Sequence, residues 1–198
     1  KVNIEPTYSD LSISGKKVFA DSKKRSILVI GGFEIIPLLS NSSKPLGVSG
    51  LKPIFELFKN PNIVKVFHAS RQDLEIFFNL DHSLPTPIFD TQVAAMVCGF
   101  GDSISYENLV SNLTGINIDK SSRYTDWSHR PLSEKQIEYA LSDVTHLRKV
   151  YLRITGTLDD SSRLNWIEEE MNILRCFETF DGDPYKAYKR LKVRSPSS

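Results

Sequence analysis

Short apolar runs alternate with amphipathic segments over most of this chain, and that alternation limits the fold more than any other feature. IVKVFH (63–68) and PIFDT (87–91) are predicted as strands, and each precedes a predicted helix, the first at 70–79. Three further helices are predicted: a short one at LKPIFELFKN (51–60), one that stops at Gly115 and one that begins at about residue 161. Strands that alternate with helices form a sheet with helices packed on its faces.

The first 50 residues carry shorter signals of the same class. KVFA (17–20) and SILVI (26–30) are joined by the turn-like DSKKR, which predicts a hairpin, and LSIS (11–14) is a further predicted strand. Hairpin strands are antiparallel, whereas strands joined through helices are usually parallel. The sequence therefore predicts an α/β fold with a mixed central sheet flanked by helices.

The composition is ordinary for a globular protein and excludes several classes. The net charge is only +1, so an anionic partner would have to be held by local charges or by metal ions. Cys98 and Cys176 lie in apolar helical segments, which predicts buried thiols in a reducing compartment rather than a disulfide framework. The sequence has no apolar run of membrane-spanning length and no secretory signal, so we expect a soluble, cytoplasmic protein without a membrane partner.

The segment IEYALSDVTHL (137–147) is predicted to be helical, with Ser133 and Gln136 as its capping box. Tyr139 and Asp143 are four residues apart, so their side chains are neighbours on a helix. They lie beside a predicted apolar stripe formed by Ile137, Ala140, Leu141, Val144 and Tyr151. Two interpretations fit the pair: a surface tyrosine beside a solvated carboxylate, or a site that uses a phenol and an acid together.

Asp73 follows the strand 63–68 by five residues, on the first turn of the next predicted helix. Ligands in α/β folds gather at the carboxyl ends of strands, although an acid at this position also complements the helix dipole. Carboxylates that converge from separate elements bind hard divalent cations, and two such ions can clamp a phosphodiester. Asp73, Tyr139 and Asp143 are therefore candidates for one site.

Several segments together resemble the catalytic domain of bacterial ribonuclease D. They are FHASRQDLEIFFNL, PIFDTQVAA, IDKSSRYTDWSHRPLSEKQIEYALSDVTHLRKVY and LNWIEEEM, and the resemblance runs from about residue 51 to residue 194. It implies a ribonuclease H-like exonuclease domain over residues 1–180 with an atypical first 50 residues. A basic tail would follow at 181–198, without the helical nucleic-acid-binding modules of longer family members.

The resemblance also implies roles for the candidate residues. Asp73 matches the second-motif acid, which helps to hold a second metal ion, and Asp143 matches the third-motif acid, a direct ligand of the first ion. Tyr139 matches the tyrosine that orients the attacking water. The implied reaction uses two divalent ions, Mg²⁺ or Mn²⁺, to hydrolyse single-stranded RNA from the 3′ end to nucleoside 5′-monophosphates. Precursors of tRNA and DNA are further candidate substrates, and no obligate protein partner is implied.

The first motif of the family, a strand bearing Asp-x-Glu, is not intact in residues 1–50. Glu5 in NIEPTY and Asp21 in FADSK are the candidates for its metal ligands, although Asn3 and Lys23 stand where the partner acids should be. Because these acids normally bridge both metals, two functions remain open. One is an active exoribonuclease, and the other is a catalytically impaired domain that binds RNA without cutting it.

Other residues are candidates for contact with substrate or for packing. His68 ends a strand and could line the cleft or be a structural histidine. The loop before the long helix holds three cations that could contact phosphates or be solvated, namely Lys120, Arg123 and Arg130. Asp90 is expected to cap the next helix. Packing roles are expected for Trp127, Phe177 and Phe180.

Overall fold

A computed structural model describes residues 18–20, 26–30, 52–119, 121–122, 125–127, 129, 131–160, 163–177 and 180. Four strands form one sheet in the order β1-β2-β3-β4. They are β1 (Val18–Ala20), β2 (Ser26–Val29), β3 (Ile63–Phe67) and β4 (Ile88–Asp90). β1 and β2 pair antiparallel as the predicted hairpin, and β2, β3 and β4 pair in parallel. The predicted mixed sheet is therefore confirmed, whereas the segment 11–14 lies outside the described residues.

The helices follow the predicted order, with small differences at their ends. They are α1 (Lys52–Lys59), α2 (Arg71–Asp81), α3 (Thr91–Val97), α4 (Tyr106–Thr114), α5 (Glu134–Asp160) and α6 (Leu164–Leu174). α4 ends at Gly115, which adopts φ +71° and so takes the left-handed conformation that glycine favours after a helix. At the start of α5, Ser133 and Gln136 form the predicted capping box, with the backbone N–H of Gln136 donating to the Ser133 hydroxyl and that of Ser133 to the Gln136 side chain.

The core lies between the sheet and the long helix α5. Every residue of β3 is buried, including Lys65. Its ammonium reaches the segment that precedes β3 and donates to the carbonyl of Asn60. On α5 the buried apolar residues recur every three or four positions at Leu147, Val150, Ile154 and Leu158. This spacing places one stripe of the helix against the sheet.

The predicted apolar stripe of α5 is wrong at its N-terminal end. Ile137 and Leu141 are 45% and 53% exposed, whereas Gln136 and Asp143 are buried. Gln136 is held there because its side-chain amide donates to the hydroxyl of Thr125 and to the carbonyl of Asp126. The stripe that packs on the sheet therefore continues into polar residues, and the apolar pair turns towards solvent.

The structure also corrects the expectation of two buried thiols. Cys176 is exposed and Cys98 is half-buried, because each residue follows the end of a helix instead of lying within it. The expected packing of the C-terminal phenylalanines is confirmed, since the rings of Phe177 and Phe180 lie 4.7 and 6.1 Å from that of Phe78. None of the helices in the described parts of the chain is long and apolar enough to cross a membrane.

Candidate active site

The carboxyl ends of β3 and β4 meet at one edge of the sheet, and Asp90 organises that edge. Asp90 pairs in register with Phe67 and is almost fully buried. Its carboxylate accepts hydrogen bonds from the backbone N–H of Ala69 and of Ser70, and from the Ser70 hydroxyl. It also caps α3 as predicted. One side chain thus fixes both the turn that leads into α2 and the start of α3.

The loop that Asp90 holds leads into α2. Asp73 lies on the first helical turn of α2 and faces a cleft. Asp73 is only 5% exposed, and no hydrogen bond or ion pair joins its carboxylate to another described residue. Burial, and to a smaller extent the nearby charge of Asp90, raises the pKa of Asp73 from 3.8 to about 7. A buried carboxylate without a partner is unfavourable unless a proton or a cation neutralises it.

Tyr139 and Asp143 reach the same cleft from α5. The cleft has a volume of about 610 Å³ and is lined by Asp73, Tyr139 and Asp143 together. Asp143 is 8% exposed, whereas Tyr139 is half-buried with its ring 6.0 Å from that of Trp127. The three residues that the sequence predicts for one site therefore lie around one cavity, on two helices that are far apart in the chain.

His68 lies at the end of β3 and also lines this cleft. Its Nδ1 is 3.0 Å from the hydroxyl of Thr91, which in turn donates to the carbonyl of Phe67. Burial lowers the pKa of His68, although the charge of Asp90 and a hydrogen bond to the backbone of Ile104 act in the opposite direction. His68 is thus both a lining residue and a hydrogen-bonded structural residue, which were the two expectations for it.

Tyr106 and Arg71 are among the residues that line the cleft but were not predicted from the sequence. Tyr106 is the first residue of α4, and its hydroxyl donates to the backbone carbonyl of Asp143 at 2.6 Å. Arg71 is an exposed cation on the first turn of α2, and no described residue pairs with its guanidinium. Arg71 could have been found because it stands two residues before Asp73. Tyr106 gave no such signal, since its partner is 37 residues away in the sequence.

The other site candidates, Glu5, Asp21, Lys120, Arg123 and Arg130, lie outside the described residues. Within the part of the chain that the structure describes, no group of three or more His, Cys, Asp or Glu side chains could hold a metal ion. Asp73 and Asp143 nevertheless fit a divalent cation, because both offer carboxylate oxygens and the Asp73 carboxylate has no partner in the described structure.

The sequence of this chain is similar to those of known 3′-5′ exonucleases. Residues 35–159 match a family model described as 3′-5′ exonuclease. A ribonuclease D of Jannaschia sp. (strain CCS1) is 56% identical over 147 residues, which are 74% of this chain and 38% of that protein. This chain spans about two fifths of the length of the curated relatives it matches.

Solved structures are similar to the same part of the chain. Escherichia coli RNase D, described as an exoribonuclease involved in structured RNA processing, matches with a TM-score of 0.65 and 32% identity, covering 74% of this chain and 39% of that one. Brucella melitensis NrnC with bound Mg²⁺ matches with a TM-score of 0.58 and 25% identity, covering 73% of this chain and 69% of that one. The same NrnC bound to pGG matches with a TM-score of 0.60 and 26% identity, covering 76% of this chain and 72% of that one.

Proposed function

We propose that this chain, which belongs to the 3′-5′ exonuclease family, removes nucleotides from the 3′ ends of RNA as a domain of the ribonuclease D type. Its fold is the mixed α/β, ribonuclease H-like fold that the sequence predicted. The relatives named ribonuclease D support the activity, and the Mg²⁺ in NrnC supports a divalent ion as cofactor. We take Mg²⁺ or Mn²⁺, two ions together, as the cofactor of this chain.

The observation that carries the proposal is the state of Asp73. It is buried, faces the cleft, has no partner among the described residues and has a pKa raised to about 7. Such a carboxylate costs folding free energy unless a ligand compensates for it. A divalent cation shared with Asp143 is the compensation that a phosphodiester-cleaving site needs, because the ion also offsets the charge of the phosphate.

The side chains divide the work of hydrolysis between them. Asp73 and Asp143 would hold the ions, which when bound acidify water and stabilise the charge on the leaving oxygen. The Tyr139 hydroxyl would form a hydrogen bond with the attacking water. This bond would orient the water towards the terminal phosphate. The buried edge formed by Asp90 keeps Asp73 in place during the reaction. The products would be a nucleoside 5′-monophosphate and an RNA shortened by one nucleotide.

Substrate binding is assigned to cations at and near the cleft. Arg71 lines the cleft with an exposed guanidinium, a group that binds phosphate oxygens well. The sequence candidates Lys120, Arg123 and Arg130 remain proposals, as does the role of His68 as a wall for the terminal nucleotide. We expect single-stranded 3′ ends, with tRNA precursors and DNA as substrates to be compared.

The remaining acids of the metal site are proposed in the first 50 residues. Glu5 and Asp21 stay the candidates, and replacing each by Asn or Gln tests them separately. We also keep residues 1–180 as the exonuclease domain, residues 181–198 as a basic tail, and the cytoplasm as the location. The alternative of an RNA-binding domain without activity is not favoured, because the relatives that match most of the chain are named as nucleases.

The test is degradation of RNA labelled at its 5′ end, with Mg²⁺ or Mn²⁺ and with EDTA. We expect a ladder of products shortened one nucleotide at a time, loss of that ladder with EDTA, and loss with Asp143→Asn. Asp81→Asn is the matched control, since Asp81 lies outside the cleft at the end of α2. No metal-dependent shortening at high protein concentration would contradict the proposal. RNA binding that survives Asp143→Ala without any degradation by the unmodified chain would favour the alternative.

A further inference from the structure

We infer that Tyr106 is a positioning residue, which fixes the backbone of α5 at Asp143 relative to the strand end that leads to Asp73. The inference rests on the proposed exonuclease function, because it assigns Tyr106 a role in the placement of that site. Although Tyr106 lines the cleft, this role does not require it to contact the ions or the RNA. Its effect would be exerted through the geometry of the two acids.

The first contact that supports this role is the hydrogen bond to Asp143. The Tyr106 hydroxyl donates to the Asp143 carbonyl oxygen at 2.6 Å. Since Asp143 lies inside α5, the same oxygen also accepts the helical N–H four residues later, and a carbonyl has two lone pairs for this purpose. A side chain of α4 thus holds α5 at the residue that carries the candidate metal ligand, against both sliding and rotation of the helix.

The second contact is made by the ring of the same tyrosine. The ring of Tyr106 lies 5.4 Å from the imidazole of His68, at an interplanar angle of 56°. His68 is itself held by Thr91, whose hydroxyl is bonded to the carbonyl of Phe67 in β3. His68 stands at the start of the turn that leads to Asp73. Tyr106 therefore touches both walls of the cleft, one that leads to Asp73 and one that bears Asp143.

Placement at this level matters because a site for divalent ions needs its oxygens within a few tenths of an ångström of the productive geometry. A small shift of α5 moves the Asp143 carboxylate away from the position that it shares with Asp73. Such a shift should weaken ion binding and the chemical step more than it weakens the grip on the RNA, because the cleft keeps its lining. The expected signature is a lowered kcat with an almost unchanged KM.

Tyr106→Phe tests this role, since it keeps the ring against His68 and removes only the hydroxyl. We expect kcat to fall by about 10-fold or more, KM to stay within about 2-fold, and the Mg²⁺ concentration for half-saturation in calorimetry to rise by about 3-fold or more. Hydrogen exchange across residues 139–147 of α5 should also become faster.

Tyr151→Phe is the matched control. It makes the same chemical change on α5, eight residues after Asp143, where the ring packs on Phe89 at 4.9 Å in the core and does not line the cleft. If loss of a buried hydroxyl acted only through stability, the two variants would behave alike. We expect the control to change the unfolding transition without lowering kcat or weakening Mg²⁺ binding.

The readouts separate failure of this inference from failure of the proposed function. If the unmodified chain degrades RNA and Tyr106→Phe keeps its kcat and its Mg²⁺ affinity, the positioning role is wrong. If the unmodified chain does not degrade RNA, the proposed function is wrong. The positioning role is then decided by hydrogen exchange at 139–147, which must be faster in Tyr106→Phe than in Tyr151→Phe; equal rates contradict it.

Discussion

The carboxylate of Asp90 accepts two hydrogen bonds from Ser70, one from the backbone N–H at 2.7 Å and one from the hydroxyl at 2.8 Å. Both residues are buried, and they are separated by twenty positions in the sequence. The turn that they close contains Ala69, whose φ of +55° is costly for a residue with a Cβ. The bonds to Asp90 hold this turn in place, and the turn sets the direction in which α2 starts.

Asp90→Ala should therefore destabilise the protein strongly. The substitution leaves the donors of Ala69, Ser70 and the start of α3 without their buried acceptor, and hydrogen bonds to a charged group contribute about 1.5–3 kcal/mol each. We expect the free energy of unfolding in urea to fall by about 3–5 kcal/mol. The control is Asp81→Ala, which removes a partly exposed ion pair with Lys59 and should cost less than about 1 kcal/mol. Similar losses for the two variants would contradict this account.

The elements of the fold could be predicted because their signals are local. The apolar strand at β3, the capping aspartate before α3 and the terminating Gly115 each depend on residues within a few positions of one another. The pairing of Tyr139 with Asp143 is local in the same sense, since both lie on α5. Signals of this kind can be recognised in the sequence without knowledge of the tertiary structure.

What could not be predicted depends on contacts between distant segments. The hydrophobic pattern alone placed Ile137 and Leu141 in the core, but the polar contacts of Gln136 with Thr125 and Asp126 turn that end of α5 the other way. The hydroxyl of Tyr106 finds its acceptor 37 residues away, and no spacing rule indicates such a pair. The side chains around Asp73 are decided by the same kind of tertiary contact.

Asp73 should make stability depend on pH in the absence of divalent ions. Its folded pKa of about 7 lies above the ordinary 3.8, so between these values the folded state holds a proton that the unfolded state has lost. Stability therefore falls as the pH rises through this window, and the full cost is present above pH 7. Asp73→Asn removes the charge, and it should raise the free energy of unfolding at pH 8 by on the order of 3 kcal/mol, with little difference near pH 4.

Urea unfolding at pH 4, 6 and 8 with EDTA present measures this effect. Asp81→Asn serves as a control of opposite sign, because the hydrogen bond from Lys59 lowers the pKa of Asp81. The contribution of Asp81 is present above its ordinary pKa and is lost as the pH falls below it, so its replacement should slightly destabilise the chain at pH 8. An Asp73→Asn variant that is less stable than the unmodified chain at pH 8 would show that its carboxylate has a compensating partner.

Mg²⁺ should reverse this penalty by binding the folded state. Binding of one ion at 100 times its dissociation constant stabilises a protein by about 2.7 kcal/mol, and ions that neutralise Asp73 should act in this way. We expect thermal unfolding at pH 8 to shift upwards with Mg²⁺ in the unmodified chain, and the shift to be largely lost in Asp73→Asn and in Asp143→Asn. Asp81→Asn should keep the shift. An equal response of all four proteins would place the bound ion elsewhere.

Arg71→Gln should weaken the binding of RNA without slowing the chemical step. The exposed guanidinium of Arg71 lines the cleft beside the acids, where it can contact a phosphate near the 3′ end. We expect KM to rise by about 5–10-fold with little change in kcat, and the slope of log affinity against log salt to become shallower by about one. Lys52→Gln removes one positive charge from α1, outside the cleft, and should leave both quantities unchanged. Equal effects of the two variants would mean that only net charge matters.

Tyr139→Phe should separate a role in the reaction from a role in packing. The substitution keeps the ring 6.0 Å from that of Trp127 and removes only the hydroxyl, so the free energy of unfolding should change by less than about 1 kcal/mol. If the hydroxyl orients the attacking water, kcat should fall by about 10²–10³-fold, as expected when one hydrogen bond to a transition state is lost.

Asp143→Asn should lower kcat further, because it removes a charge and a metal ligand together. Tyr139→Leu, which also removes the ring, should lose stability without a much larger loss of kcat. Single-turnover degradation of end-labelled RNA measures the step directly, and a Tyr139→Phe variant as fast as the unmodified chain would exclude the hydroxyl from the reaction.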